Sequence, residues 1–237
     1  MRAKVADGRV LALVEAFLKA GVMEDAAHWT PEAGAPQGAV LSPLLSNIYL
    51  DSLDRLASER GLEMTRYADD LVVLCRSREE ADRALATVKE WSEQNRLTLH
   101  PDKTRIVDLE TESFDFLGYT FFHGKRKPRK ASLGKLKDAV RALTPRNTGR
   151  SLRDAIVALN RRLAGWFAYF KHSHQWTFAP LDGWIRMRLR SQLRRHKGRE
   201  GRGRGADHQR WPNRFFAAQG LYSLMKAHAL ARQSSLR

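Results

Sequence analysis

Only one cysteine, Cys75, occurs in the 237 residues, so a disulfide within the chain is impossible. Cys75 lies in an apolar stretch and reads as a small buried apolar residue. His172 and His174 are spaced two apart. Without cysteines or a second paired cluster they read as basic-surface histidines and not as a zinc site. Long hydrophobic runs are missing as well. None approaches the roughly 20 residues of a membrane span, so no membrane partner is expected. Met1-Arg2-Ala3-Lys4 leads into an amphipathic pattern and not into a secretory apolar region. A reducing, cytoplasmic compartment is the default that fits. Acid is scarce in one half of the chain. Residues 111–237 hold 28 Lys+Arg against 7 Asp+Glu, a net of +21, whereas residues 1–110 hold 14 against 19, a net of −5. That asymmetry points to a polyanion held by one part and chemistry in the other, and away from a merely soluble basic protein.

The chain is long enough for one large domain or two small ones with real cores. Asp7 or Gly8 starts an apolar stripe of Val10, Leu11, Val14, Phe17 and Leu18 at helical spacing. Residues 24–40, rich in Gly, Pro and Ala, read as a loop. Ser42-Pro43 reads as an N-cap and first turn of a helix to about Arg60. Ser77-Arg78-Glu79-Glu80 matches a capping box before a helix through Ala84, Leu85, Val88 and Trp91. Leu97 to Leu99, Thr104 to Leu109 and Phe114 to Phe122 read as strands. Past a basic boundary at 123–131 the helical period dominates, near 132–143, 150–171, 180–196 and 213–230, with a flexible Gly-Arg loop at 197–206. The expected fold class is α+β.

Tyr67-Ala68-Asp69-Asp70 lies between the apolar runs Leu62 to Met64 and Leu71 to Leu74. The pattern predicts two strands joined by a tight turn with acids at its tip. Such a tip suits a divalent metal for phosphoryl transfer, where positioning and charge neutralisation do most of the work. An Asp-Asp pair alone is weak evidence, because turns are rich in Asp. Residues 186–210 carry ten Lys+Arg against Glu200 and Asp207. Phosphate contacts by such residues give affinity without sequence choice. Trp166, Trp176, Trp184 and Trp211 are either core or stacking platforms for unpaired bases.

Four segments in order resemble reverse transcriptases encoded by group II introns. They are Gly34-Ala35-Pro36-Gln37-Gly38 with Ser42-Pro43-Leu44-Leu45-Ser46-Asn47-Ile48-Tyr49-Leu50, then Tyr67-Ala68-Asp69-Asp70, Leu97 to Thr104, and Phe114-Asp115-Phe116-Leu117-Gly118-Tyr119. Leu159 to Phe170, Trp184, Arg186, Arg190 and Trp211 to Phe216 resemble the intron maturase domain, also called domain X or thumb. The resemblance implies a partial right-hand palm over 1–122, an antiparallel sheet with helices. A basic, all-helical thumb or maturase domain over 123–237 follows it. It implies catalytic, metal-holding carboxylates at Asp69 and Asp70 in a two-metal Mg2+ site. Tyr67, Ala68, Gln37, Gly38 and Lys103 would meet nucleotide or template. Phe116, Leu117 and Gly118 would form the primer grip, and Arg161, Arg162, Arg186, Arg190, Arg194, Arg195 and Lys197 would bind RNA. The implied partners are intron RNA, primer/template and dNTP.

The family's first palm motif, whose aspartate completes the metal site, is expected upstream of the helix at Val10–Lys19, where about eight residues stand. Asp7 reads as a cap and Asp25 as a loop residue. The fingers are not found either, and one cysteine leaves no cysteine-rich endonuclease. The expectation is a truncated reverse transcriptase/maturase, inert or nearly so as a polymerase by itself. The alternatives are an RNA-binding splicing factor without enzymatic work, or a decayed fragment. Oligomeric state is left open.

Overall fold

Asp7 opens the first helix by accepting the backbone N–H of Arg9 (2.7 Å) on its carboxylate, the capping contact expected of it. In the computed structural model, residues 5–19, 22–24, 27–29, 41–145, 149–203 and 205–234 are described. The fold is α+β. Two compact units are formed, divided between Ile106 and Val107.

The first unit contains α1 (Gly8–Lys19), the short antiparallel pair β1 (Val22–Glu24) and β2 (Ala27–Trp29), and α2 (Ser42–Glu59). The hairpin β3 (Glu63–Tyr67) and β4 (Asp70–Leu74) follows, then α3 (Arg78–Gln94). β2 lies inside the stretch read from sequence as a loop. Ser42 is not the cap of α2. That position is Leu41, no side chain caps it, and the Ser42 hydroxyl is buried without a partner in the protein. Proline in the first turn sets the helix start, since it removes an N–H that would be unpaired there. Ser77 does cap α3, accepting from Glu80 N–H at 3.2 Å, while the Glu80 carboxylate reaches back to Arg76 N–H at 2.8 Å. Leu53, Val88 and Trp91 form the buried centre, with Leu50, Met64 and Leu71 against it. Ala57 and Ala84 are buried too, and their small side chains allow close approach. Leu97 to Leu99 and Thr104 to Leu109 are not strands. Thr104 N–H bonds His100 C=O at 2.9 Å, so the chain turns there and does not extend.

The second unit begins with a meander, β5 (Phe114–Phe116), β6 (Tyr119–Phe122) and β7 (Lys125–Pro128). The basic boundary at 123–131 therefore supplies a strand, and this region is not all-helical. α4 (Lys130–Leu143), α5 (Leu152–Phe170), a 3-10 turn (Gln175–Thr177), α6 (Phe178–His196), α7 (Ala206–Arg210), α8 (Asn213–Ala218) and α9 (Leu224–Ser234) follow. Ile156, Leu159, Leu163 and Phe167 of α5 face Leu181, Ile185 and Leu189 of α6 at i, i+3/i+4 spacing, with Leu136, Phe216 and Leu224 completing one core. Each such side chain contributes roughly 1.5–3 kcal/mol on burial. The helix expected at 213–230 is broken in two by Gly220, whose φ of 78 favours glycine. Asn160 holds this break, donating to Gly220 C=O and accepting from Tyr222 N–H, both at 2.7 Å.

Candidate active site and nucleic-acid interface

β3 and β4 pair from Glu63↔Leu74 to Tyr67↔Asp70, leaving Ala68 and Asp69 as a two-residue turn. The predicted tip is therefore real. Ala68 has φ 55, a conformation an alanine adopts at a cost. Arg66 holds it. Its guanidinium donates to Ala68 C=O at 2.8 Å and to Asn47 Oδ1 at 3.0 Å, and it grips both carboxylate oxygens of Asp54, with Nε to Oδ1 at 2.8 Å. The Asp54 hydrogen bond raises the Arg66 pKa against the burial that would lower it. The turn is thus clamped onto α2 from below. Tyr67 and Asp70, opposite each other in the register, share the other face. Tyr67 is 66 % exposed. Asp69 and Asp70 are also exposed.

Gln37 and Gly38 lie outside the described residues. Lys103 is exposed in the turn after His100. Among the described residues no group of three or more His, Cys, Asp or Glu stands together as a metal-holding set.

In the second unit Phe116, Leu117 and Gly118 are half-buried around the β5–β6 turn. Leu117 (φ 47) and Gly118 (φ 78) make that turn. Tyr169 Oη donates to Leu117 C=O at 2.8 Å, Ser132 Oγ to Gly118 C=O at 3.1 Å, and Tyr119 Oη to Tyr169 C=O at 2.5 Å. The turn is therefore fastened to α4 and to the end of α5.

The arginines divide into two kinds. Arg161, Arg162 and Lys197 are exposed. Arg190, named from sequence as an RNA contact, is instead 2 % exposed. It donates to Trp211 C=O (2.9 Å) and Asn213 Oδ1 (2.8 Å) and lies over the Phe216 ring. Burial, with the nearby Arg186, lowers its pKa. Its place in the inward row of α6 makes it a structural cation and not a phosphate contact. Arg194 is half-buried in an ion pair with buried Asp207 (2.7 Å), and Arg195 pairs with Glu200 (2.9 Å). Arg186 is half-buried, its Nε without a partner in the protein. Of the tryptophans, Trp211 is core, Trp166 and Trp184 pack against the core, and Trp176 is 58 % exposed.

The reverse transcriptase (RNA-dependent DNA polymerase) family matches residues 7–121, and the group II intron maturase-specific domain matches residues 133–211. The group II intron-encoded protein LtrA of Lactococcus lactis subsp. cremoris is 36% identical over 69 residues, 29% of this chain and 12% of that protein. The chain belongs to the group II intron reverse transcriptase/maturase family. Protein YkfC of Escherichia coli (strain K12) is 26% identical over 196 residues, 67% of this chain and 49% of YkfC. An uncharacterized 91 kDa protein in the cob intron of Schizosaccharomyces pombe is 24% identical over 184 residues, 53% of this chain and 23% of its own. The chain spans less than half the length of each of these curated relatives. No helix among the described residues of this reverse transcriptase/maturase family member is long and apolar enough to cross a membrane.

Two structural residues, one in each unit, went unread in the sequence. Arg66, the fourth residue of β3, alternates with Met64, and that alternation was the signal that places it on the helix-facing side. Asp182, 4 % exposed, accepts Leu224 N–H (3.0 Å) and Met225 N–H (3.2 Å) and the Ser223 hydroxyl (2.8 Å), so it caps α9 from α6. No local pattern announces a cap supplied from 42 residues away.

Proposed function

We propose that residues 1–122 are part of the palm of an RNA-directed DNA polymerase, and residues 123–237 its thumb or maturase region, which binds intron RNA and assists splicing. The carrying observation is the Asp69–Asp70 tip on a clamped two-residue turn inside the matched reverse transcriptase segment. Its joining to residues 111–237, which carry a net charge of +21 and contain the maturase match, supports the RNA partner. Asp69 and Asp70 are hard oxygen donors. That suits Mg2+, which takes one or two carboxylates and completes its shell with water and substrate phosphates. Mg2+ held there would neutralise charge on the transferred phosphoryl group and the leaving pyrophosphate. Asp69 is the stronger candidate for direct ligation. Arg66 keeps the turn in one conformation, and the exposed Tyr67 ring stands beside the incoming nucleotide or primer end. Lys103 offsets triphosphate charge, Gln37 and Gly38 meet nucleotide or template, and Phe116, Leu117 and Gly118 grip the primer. Arg161, Arg162, Arg186 and Lys197 are the RNA contacts.

A two-metal site takes a further carboxylate besides this pair, so the 237 residues by themselves are proposed to be poor at synthesis while still binding RNA. The test is primer extension on an RNA template with Mg2+, beside intron-RNA binding. RNA binding with little extension, and extension restored by adding the palm and finger segments in trans, is the expected result. Robust extension by the chain alone that Asp69→Ala abolishes would overturn the incompleteness. Extension that survives Asp69→Ala would overturn the site itself. Salt-sensitive RNA binding with no extension under any supplementation favours the non-enzymatic splicing factor.

A further inference from the structure

A cleft of about 860 Å3 opens among β7, the segment 171–175 that links α5 to the 3-10 turn, and α9. Its lining includes Arg126, Lys171, His172, His174, His228 and Arg232, and no acidic residue. The volume falls in the roughly 300–1,000 Å3 range of small-ligand sites. The floor is fixed by backbone and side-chain bonds. His174 N–H bonds Arg126 C=O at 2.8 Å, Arg126 Nε bonds His172 C=O at 2.9 Å, and Ser173 N–H bonds Phe170 C=O at 3.0 Å. Ser173, 2 % exposed, also lines the cleft, and its hydroxyl has no partner in the protein. A buried hydroxyl left without a partner is costly unless a ligand supplies one. Beside the cleft stands Trp176, its ring centroid 3.9 Å from that of His174, with the Lys125 ammonium 4.5 Å from its own centroid.

We propose that this cleft binds an unpaired nucleotide of RNA, its phosphates between Arg126, Lys171 and Arg232 and its base against Trp176. The proposal rests on the RNA-binding reading above and names a site within it. Cations without acids select a phosphate, and guanidinium forks suit its oxygens. A free phosphate would leave the exposed indole unused, and a duplex would hide the base face that stacks on it. Lys125 sits on a flexible stem and moves from ring to phosphate when a base takes its place. The Ser173 hydroxyl donates to a phosphate oxygen. The histidines couple the site to pH. Burial lowers the His172 pKa, helped by Arg126 across on β7 and Lys171 beside it. Burial lowers that of His228 too, helped by Arg232 on its own helix and His174 on the facing segment, against the Ser173 backbone bond that raises it. The Phe178 ring packs on His228 from α6 and brings no charge. A bound phosphate reverses the cationic effect, so binding takes up protons and tightens as pH falls toward the ordinary histidine value.

The test is fluorescence anisotropy of a labelled short oligouridylate, and of the same length in duplex form, with the whole chain and with variants. Trp176→Ala is expected to weaken single-strand binding about tenfold and leave duplex binding unchanged. Lys171→Glu with Arg232→Glu is expected to weaken single-strand binding further and to flatten the salt dependence by about 0.7 per lost cation in log–log slope. His172→Gln with His228→Gln flattens the pH profile. Both cationic positions and Trp176 are exposed, and unchanged melting curves confirm folding. Variants in the cleft that bind as the parent does, while Arg161→Glu with Arg162→Glu weakens binding, would overturn the cleft and leave the RNA reading standing. A parent chain that binds neither oligonucleotide would overturn both.

Discussion

Replacing Arg66 by alanine tests whether the acid-bearing turn depends on its clamp. The Arg66 side chain is 10% exposed and makes a two-pronged pair with Asp54, plus single bonds to Asn47 and Ala68. Hydrogen bonds to charged groups contribute about 1.5–3 kcal/mol each when buried. Asp54 is 39% exposed, so water screens part of the pair, and the Ala68 carbonyl regains water once released. The net expectation is a loss of about 2–3 kcal/mol of local stability, concentrated in β3 and β4. Hydrogen exchange of the amides in that hairpin should speed up about 30- to 150-fold, while the second unit's amides keep their rates. Arg66→Lys should recover less than half, because a compact ammonium lacks the planar fork that grips both Asp54 oxygens while reaching Asn47 and Ala68. Pairing Arg66→Ala with Asp54→Ala should show a coupling of about 1–2 kcal/mol. Hairpin exchange unchanged within about 0.5 kcal/mol, or full recovery by lysine, would refute the clamp.

Asp182→Ala strips the start of α9 of three bonds and should cost about 3 kcal/mol, read by thermal melting, with Asp182→Asn costing roughly half. Gly203→Ala would put a Cβ 2.5 Å from Arg190 Cβ and 3.2 Å from its backbone. It should lose about 2 kcal/mol and the 3.0 Å bond from Gly203 N–H to Ser191; a melting temperature equal to the parent's would refute the packing. His172 and His228 have pKa values pressed below 6.5 in the fold, chiefly by burial and then by neighbouring cations. The unfolded chain therefore takes up their protons first. Stability is full above about pH 6.5 and falls as pH drops below it, so melting should be lower at pH 5.5 than at 7.5, by less in His228→Gln.

The periodic elements were readable because their faces are one-sided. Leu159, Leu163 and Phe167 sit at helical spacing and are buried; in β4 the exposed Asp70 is followed by the half-buried Leu71. The acid tip was readable because two short apolar runs can meet only through a tight turn. Residues 97–109 misled because Leu97 and Leu99, and again Val107 and Leu109, alternate with polar residues like a strand, yet Leu99 packs on the first unit's core from an irregular segment. β7 was hidden by its composition, Lys125-Arg126-Lys127-Pro128, which reads as a solvated linker. Its pairing with β6 is a tertiary fact. Arg190 misled in the opposite way. Five of ten residues from 186 to 195 are arginines, and nothing local separates the one that turns inward.

The tie between the β5–β6 turn and α5 has a practical meaning for cutting the chain. Family boundaries break at about 121–133, yet Tyr119, Ser132 and Tyr169 lash that turn to the helices that follow it. A two-piece version severed near 122 would hand β5 and β6 to the wrong fragment, leaving β7 an unpaired edge and three carbonyl anchors empty. Severed at 106/107, each fragment keeps its own scaffold, and the β5–β6 turn travels with the helices that anchor it.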